Sequence, residues 1–159
     1  MRIQIALNVK DLDSAIEFYS KLFGAEVNKR KPGYANFAID SPPLKLVLNE
    51  RPDAPERLDH LGVEVFTEEE VVATAERLQA NGMISLVEND TTCCYANADK
   101  VWAQEPDGLQ WEWYRVRGDS EAFGVNPEFA ATDSTTDRSE ERRVGNEWRY
   151  QWSQSQVMK

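Results

Sequence analysis

The chain has 159 residues, 41% of them hydrophobic and 29% charged, the proportions of an ordinary globular protein with one domain's worth of core. Eighteen Lys and Arg stand against 28 Asp and Glu, for a net charge of −10. That balance disfavours nucleic acid as a partner, because phosphates would be repelled rather than neutralised, and no apolar run approaches the roughly 18 residues of a membrane span. A single histidine excludes sites built on two or three imidazoles.

Residues 3–9 (IQIALNV) alternate, with Ile3, Ile5, Leu7 and Val9 on one face and Gln4, Ala6 and Asn8 on the other, the period of a half-buried strand. This strand opens at Met1-Arg2 with no apolar leader before it, so a cytoplasmic protein is expected. A helix is predicted over Leu12 to Phe23, with Leu12, Ala15, Ile16, Tyr19, Leu22 and Phe23 inward. Asp11 or Asp13 serves as its cap and Gly24 as its stop. Strands are expected at 25–27, 34–39 and 44–48, separated by the turns KRKPG and DSPP. The pattern then restarts. His60 to Val65 alternates, Thr67 and Glu70 form a capping box, and a helix runs to about Ala80, with Gly82 as the stop. Further strands are expected near 83–87, 91–95, 101–104 and 109–114.

Strand and helix thus recur 56 positions on, from Gln4 to His60. Self-similarity at that spacing reads as two copies of a βαβββ unit, an α+β fold with modules at about 1–50 and 58–117. The segment 118–159 is rich in Asp, Glu, Ser, Thr and Arg with little apolar periodicity, and is expected to be a disordered tail without a function.

The duplication gives three polar residues a meaning. Gln4 and His60 occupy equivalent places on the face opposite each strand's apolar set, and Glu112 lies between Trp111 and Trp113, pointing away from them. If the modules pair about a pseudo-twofold axis, amide, imidazole and carboxylate converge as a mixed N/O set suited to a borderline divalent metal. The alternative is three unrelated strand residues facing solvent. Aligning PPLKLVL with PDGLQWEWY puts Val47 opposite Glu112, so the chain supplies three donors and leaves open positions, as facial-triad Fe(II) sites do.

Cys93 and Cys94 are adjacent and are the only cysteines. Neighbours cannot readily form a relaxed disulfide, and paired thiols chelate soft centres such as trivalent arsenic or Cd(II). The alternative is two small buried hydrophobes. Lys100 is placed to orient a bound anion, although most lysines are simply solvated. Tyr34, Phe37 and Tyr95 are candidates for a pocket wall, with core packing as the alternative. Residues 95–100 are the candidate for a loop closing over a substrate.

These features together resemble the vicinal oxygen chelate superfamily, which includes glyoxalases and extradiol dioxygenases. More narrowly, QIALNV, FYSKLFGAE, RKPGYANFAI, PPLKLVL, HLGVEV, TTCCYA and DKVW are similar to the ArsI group of C–As lyases and the related cadmium-induced CadI group. The resemblance covers about residues 1–117. It implies an Fe(II)-dependent dioxygenase that uses O2 to cleave the carbon–arsenic bond of trivalent organoarsenicals. Iron is then expected on Gln4, His60 and Glu112 and arsenic on Cys93 and Cys94, in a monomer or homodimer. The rival readings are a cytosolic buffer for cadmium or arsenite that uses the same thiols, and another glyoxalase-like metalloenzyme.

Overall fold

The computed structural model of the chain describes residues 1–93 and 95–121, leaving aside the Cys93 side chain. The elements run β1 (Arg2–Val9), α1 (Leu12–Phe23), β2 (Lys29–Lys31), β3 (Tyr34–Ile39), β4 (Leu44–Glu50), β5 (Leu58–Glu64), α2 (Glu68–Ala80), β6 (Ile84–Cys93), β7 (Ala96–Gln104) and β8 (Gln110–Asp119). This is βαβββ twice. The eight strands form one sheet in the order β2-β3-β4-β1-β5-β8-β7-β6. In each module the first and last strands are parallel, β1 with β4 and β5 with β8. The modules join within the chain through the antiparallel pair β1 and β5.

Register makes the duplication explicit. Gln4 pairs with Gly62 and Ala6 with His60, so a twofold exchange of modules maps one pair onto the other. Ala6 also pairs with Val47, and Gly62 with Glu112. Val47 and Glu112 are therefore equivalent positions on the central strands.

Each helix covers the side of the sheet away from these residues. α1 begins where the Asp11 carboxylate accepts the Ser14 N–H at 2.7 Å and ends at Gly24 in the left-handed region (φ 61°). Its inner stripe packs on Val9, Phe37, Leu46 and Leu48. Leu22 does not join that stripe and is 59% exposed, since at 100° per residue it sits about 80° around the helix from Leu12. α2 starts at the capping box of Thr67 and Glu70 and buries Val71, Ala75 and Leu78, with Val63, Val65 and Trp113 forming the adjoining core.

Several elements depart from the sequence expectation. Residues 25–27 are not a strand; the strand is the basic triplet 29–31, and only Pro32 and Gly33 turn the chain back into β3. Charge at a sheet edge is tolerated because one side of the strand meets water. The two strands expected at 83–87 and 91–95 are one strand, β6, kinked by a register shift between Glu88 and Thr91 with Asp90 at φ 50°. Residues 96–100 are not a loop: they open β7 and pair with β6 and β8. β8 continues to Asp119, and residues 122–159 lie outside the described residues. Among the described residues no helix is long and apolar enough to cross a membrane.

Candidate metal centre

The face of the sheet opposite the helices is concave and lines a cavity of about 290 Å³. Strand alternation fixes what points into it. Arg2, Gln4 and Ala6 share that face of β1, Lys45 and Val47 that of β4, His60, Gly62 and Glu64 that of β5, and Glu112 and Tyr114 that of β8. Polar Gln4 is 4% exposed here, whereas apolar Ile3 on the other face is 45% exposed. The cleft, rather than the apolar set, is thus the better-buried side of this end of β1.

Gln4, His60 and Glu112 meet in the cleft. The Gln4 Nε2 lies 3.1 Å from His60 Nε2 and donates to Glu112 Oε1, and His60 Nε2 is 3.2 Å from the same carboxylate oxygen. All three are at most 5% exposed. The register explains the convergence: Gln4 and His60 are diagonal neighbours across β1 and β5, and Gly62, which pairs with Gln4 on one side and Glu112 on the other, has no side chain to hold those two apart. A Cβ at Gly62 would lie 2.8 Å from Glu112 Cγ and 3.4 Å from Gln4 Cβ.

The surroundings hold each group in place. His60 Nδ1 is 2.7 Å from Asp59 Oδ2, while Asp59 accepts from Asn8 Nδ2 at 3.2 Å and from Arg51 at 3.1 Å. A carboxylate on the far ring nitrogen leaves Nε2 directed at the cleft, as metal-ligating histidines are held. Glu112 gives its second oxygen to Lys100 Nζ at 3.0 Å, and the Lys100 ammonium lies 5.4 Å from the centre of the Trp102 ring. The Tyr114 hydroxyl donates to Gln4 Oε1. A half-turn of the amide would bring that oxygen to the His60 side, with the Tyr114 hydroxyl then accepting from the amide nitrogen.

Electrostatics follow from burial and pairing. Burial pushes the His60 imidazole down, but the Glu112 charge and the Asp59 hydrogen bond outweigh it and raise it to about 9. Burial pushes Glu112 up, and the positive charges of Lys100 and His60 overcome this and hold it far below the usual carboxylate range. Burial, then the Glu112 charge, keep Tyr114 well above its ordinary value, so it remains a neutral hydroxyl.

No group of three or more His, Cys, Asp and Glu able to hold a metal occurs among the described residues; the triple here uses an amide in place of a second imidazole. Its chemistry suits a borderline divalent ion. Val47, 4% exposed, presents only methyl groups at the fourth position.

The other sequence candidates divide. Lys100 lines the cavity, paired with Glu112 rather than free to meet an anion alone. Tyr34 lines it too, in an apolar cluster with Ala6, Val47 and Tyr95, the two tyrosine rings 5.7 Å apart. Phe37 does not, since it points to the helix side and is core. Cys93 ends β6 with its backbone paired to Ala96, a cavity-lining residue; its side chain and all of Cys94 lie outside the described residues. Tyr95 follows with φ 60°. Its carbonyl accepts from Lys29 Nζ at 3.1 Å and from the Ser120 N–H at 2.9 Å, which ties Tyr95 to β2 of the first module and to the residue after β8. Sequence reasoning missed Arg2, Lys45, Asp59, Glu64 and Tyr114. Parity held the signal for four of them, because Arg2, Glu64 and Tyr114 are two or four residues from a candidate ligand and Lys45 is two from Val47.

The pattern that defines the glyoxalase/bleomycin resistance protein/dioxygenase superfamily matches residues 3–113. The chain belongs to that superfamily. Within it, the chain is 56% identical over 126 residues to the cadmium-induced protein CadI of Mycobacterium tuberculosis, covering 79% of this chain and 83% of that one. It is 54% identical over 123 residues to a trivalent organoarsenical cleaving enzyme of Thermomonospora curvata (77% and 82% covered). A third superfamily relative, a protein of Bacillus sp. with the same enzyme name, is 45% identical over 125 residues (77% and 78%). Among solved structures, the Mn(II)-bound glyoxalase of Novosphingobium aromaticivorans superposes with a TM-score of 0.53 at 18% identity, over 80% of this chain and 41% of that one. That likeness shows the superfamily fold alone.

Proposed function

We propose that this protein is a C–As lyase, an Fe(II)- and O2-dependent enzyme that cleaves trivalent organoarsenicals such as methylarsenite to arsenite. The observation that carries the reading is the convergence of Gln4, His60 and Glu112 with an apolar Val47 in the remaining strand position. It is supported by likeness to two proteins named for organoarsenical cleavage. Gln4, His60 and Glu112 would hold the iron, which when bound supplies O2 activation and the oxidising power for the C–As unit.

The chain's own residues then have separable tasks. Cys93 and Cys94 capture the arsenical: two S–As bonds form, two As–OH bonds break and two waters leave. Capture fixes the carbon substituent inside the cleft, so the difficult oxidation proceeds on a positioned group. Asp59 keeps the His60 proton on Nδ1. Lys100 occupies the outer oxygen of Glu112, so that one oxygen faces inward. Val47 offers no fourth donor and leaves room for O2 and substrate. Tyr34, with Tyr95 packed against its ring, forms the wall against which the organic group rests. The reducing cytoplasm suits this chemistry, because it keeps neighbouring thiols free.

The test is anaerobic loading with Fe(II), then addition of O2 and methylarsenite, with arsenite quantified. Release that needs both iron and oxygen, and is lost in Cys93→Ser and Cys94→Ser, is expected. No arsenite above an iron-free control would refute the reading. The 56% likeness to cadmium-induced proteins favours a second reading, a soft-metal buffer using the same thiols. It predicts tight Cd(II) or arsenite binding with no dependence on iron or O2.

A further inference from the structure

The cavity's charge is opposite to the molecule's. The chain carries −10 overall, yet the described ionisable side chains lining the cavity include four cations, Arg2, Lys29, Lys45 and Lys100, against three carboxylates, Glu64, Glu112 and Asp119. With His60 left aside as a metal-ligand candidate, the surplus is localised. Asp119 is matched by Lys29 and Glu112 by Lys100, but Glu64 alone faces two cations, Arg2 and Lys45, the latter at 3.1 Å. Arg2 meets Glu64 only through Nε; among the described residues its terminal guanidinium nitrogens have no hydrogen-bond partner. The Lys45 ammonium lies over the Tyr114 ring at 5.1 Å, and Lys45 pairs in register with Gln4. Both side chains are largely buried, 22% and 13% exposed, so water screens them poorly.

We infer that Arg2 and Lys45 form an anion subsite at one end of the cavity, taking a carboxylate or comparable acidic group carried by the organic part of the substrate. The forked guanidinium suits a carboxylate, and a largely buried cation surplus raises the local concentration of anions although the outer surface repels them. Val47 shares a face of β4 with Lys45 and clusters with Tyr34 and Ala6, so the organic part of a ligand held at this subsite meets an apolar surface. This rests on the C–As reading for its arsenic end, whereas the anion end is independent of it.

The test compares phenylarsenous acid with 4-carboxyphenylarsenous acid by calorimetry on the full chain. The acid is expected to bind about tenfold more tightly, the worth of one charge-assisted contact, with the margin shrinking as salt rises. In Lys45→Met the margin narrows to within about twofold, and Lys45→Arg restores it. Glu64→Gln, which enlarges the cation surplus, widens it, an outcome that mere structural damage does not produce. An arsenic-free arm measures thermal stabilisation by 4-methylbenzoate against 4-methylbenzamide, which is expected to favour the acid in the unmodified protein and not in Lys45→Met. Stabilisation by benzoate with no binding of either arsenical would refute the C–As reading and leave the subsite standing. Equal affinities for the two arsenicals, or a margin that survives Lys45→Met, would overturn the subsite.

Discussion

At the scale of single residues, the candidate centre depends on what is absent as much as on what is present. Gly62 is the clearest case, since any side chain there enters the space of Glu112 Cγ. Gly62→Ala is expected to cost about 1–3 kcal/mol of stability through overpacking and to weaken divalent-metal binding by at least tenfold, read by thermal melting and metal calorimetry. His60 governs the pH behaviour. Raised to about 9 by the Glu112 charge and the Asp59 bond against the effect of burial, it holds a proton at neutral pH in metal-free protein. Metal affinity therefore rises as pH climbs toward 9, with about one proton released per ion bound. Folding linkage has the opposite slope: with the folded value above the unfolded one, His60 stabilises metal-free protein fully below about pH 6.5, and that contribution is lost as pH rises through about 9. Denaturant titrations across this range check it. Gln4, His60 and Glu112 were legible in the sequence because the 56-residue repeat singles out two of them and strand parity the third. Asp59 was hidden: it sits beside His60 on the opposite strand parity and reaches the imidazole edge-on, which alternation alone does not anticipate.

At the scale of elements, both helices were legible, because their signals are local: caps, stops and a stripe of period 3.6. Thr67→Ala removes the acceptor for the Glu70 N–H and is expected to cost about 1 kcal/mol, measurable as a lowered melting temperature with the site unaffected. Short strands were less legible. β2 reads as a turn since Lys29–Lys31 has no apolar residue, and only its pairing to β3 makes it a strand. The β6–β7 hairpin defeats a period-2 reading for another reason: its bulge breaks the alternation at Asp90. The same hairpin carries Tyr95 at φ 60°, a conformation costly for a bulky residue. It is held there by Lys29, Ser120 and the Tyr34 ring, so local preference is overruled by contacts distant in sequence.

At the scale of the molecule, two copies of one module meet about β1 and β5 and have diverged on the cleft side. One copy keeps a carboxylate at Glu112 and the other has Val47 at the matching position. The asymmetry puts a carboxylate held by Lys100 on one side of the metal candidates and the methyl groups of Val47, backed by Tyr34, on the other. Restoring symmetry is expected to be harmful: Val47→His supplies a fourth donor, tightening metal binding while suppressing arsenite release, because an open position is lost. Metal calorimetry and the arsenite assay, run on the same preparation, separate the two effects. The most direct measurement of the whole account is a crystal structure of protein loaded with Fe(II) and an organoarsenical under anaerobic conditions, with anomalous scattering recorded at the iron and arsenic edges. One iron bonded to Gln4, His60 and Glu112 is expected, and one arsenic bonded to both Cys93 and Cys94 with its carbon facing the iron. An iron bound elsewhere, or an arsenic remote from it, would contradict the account.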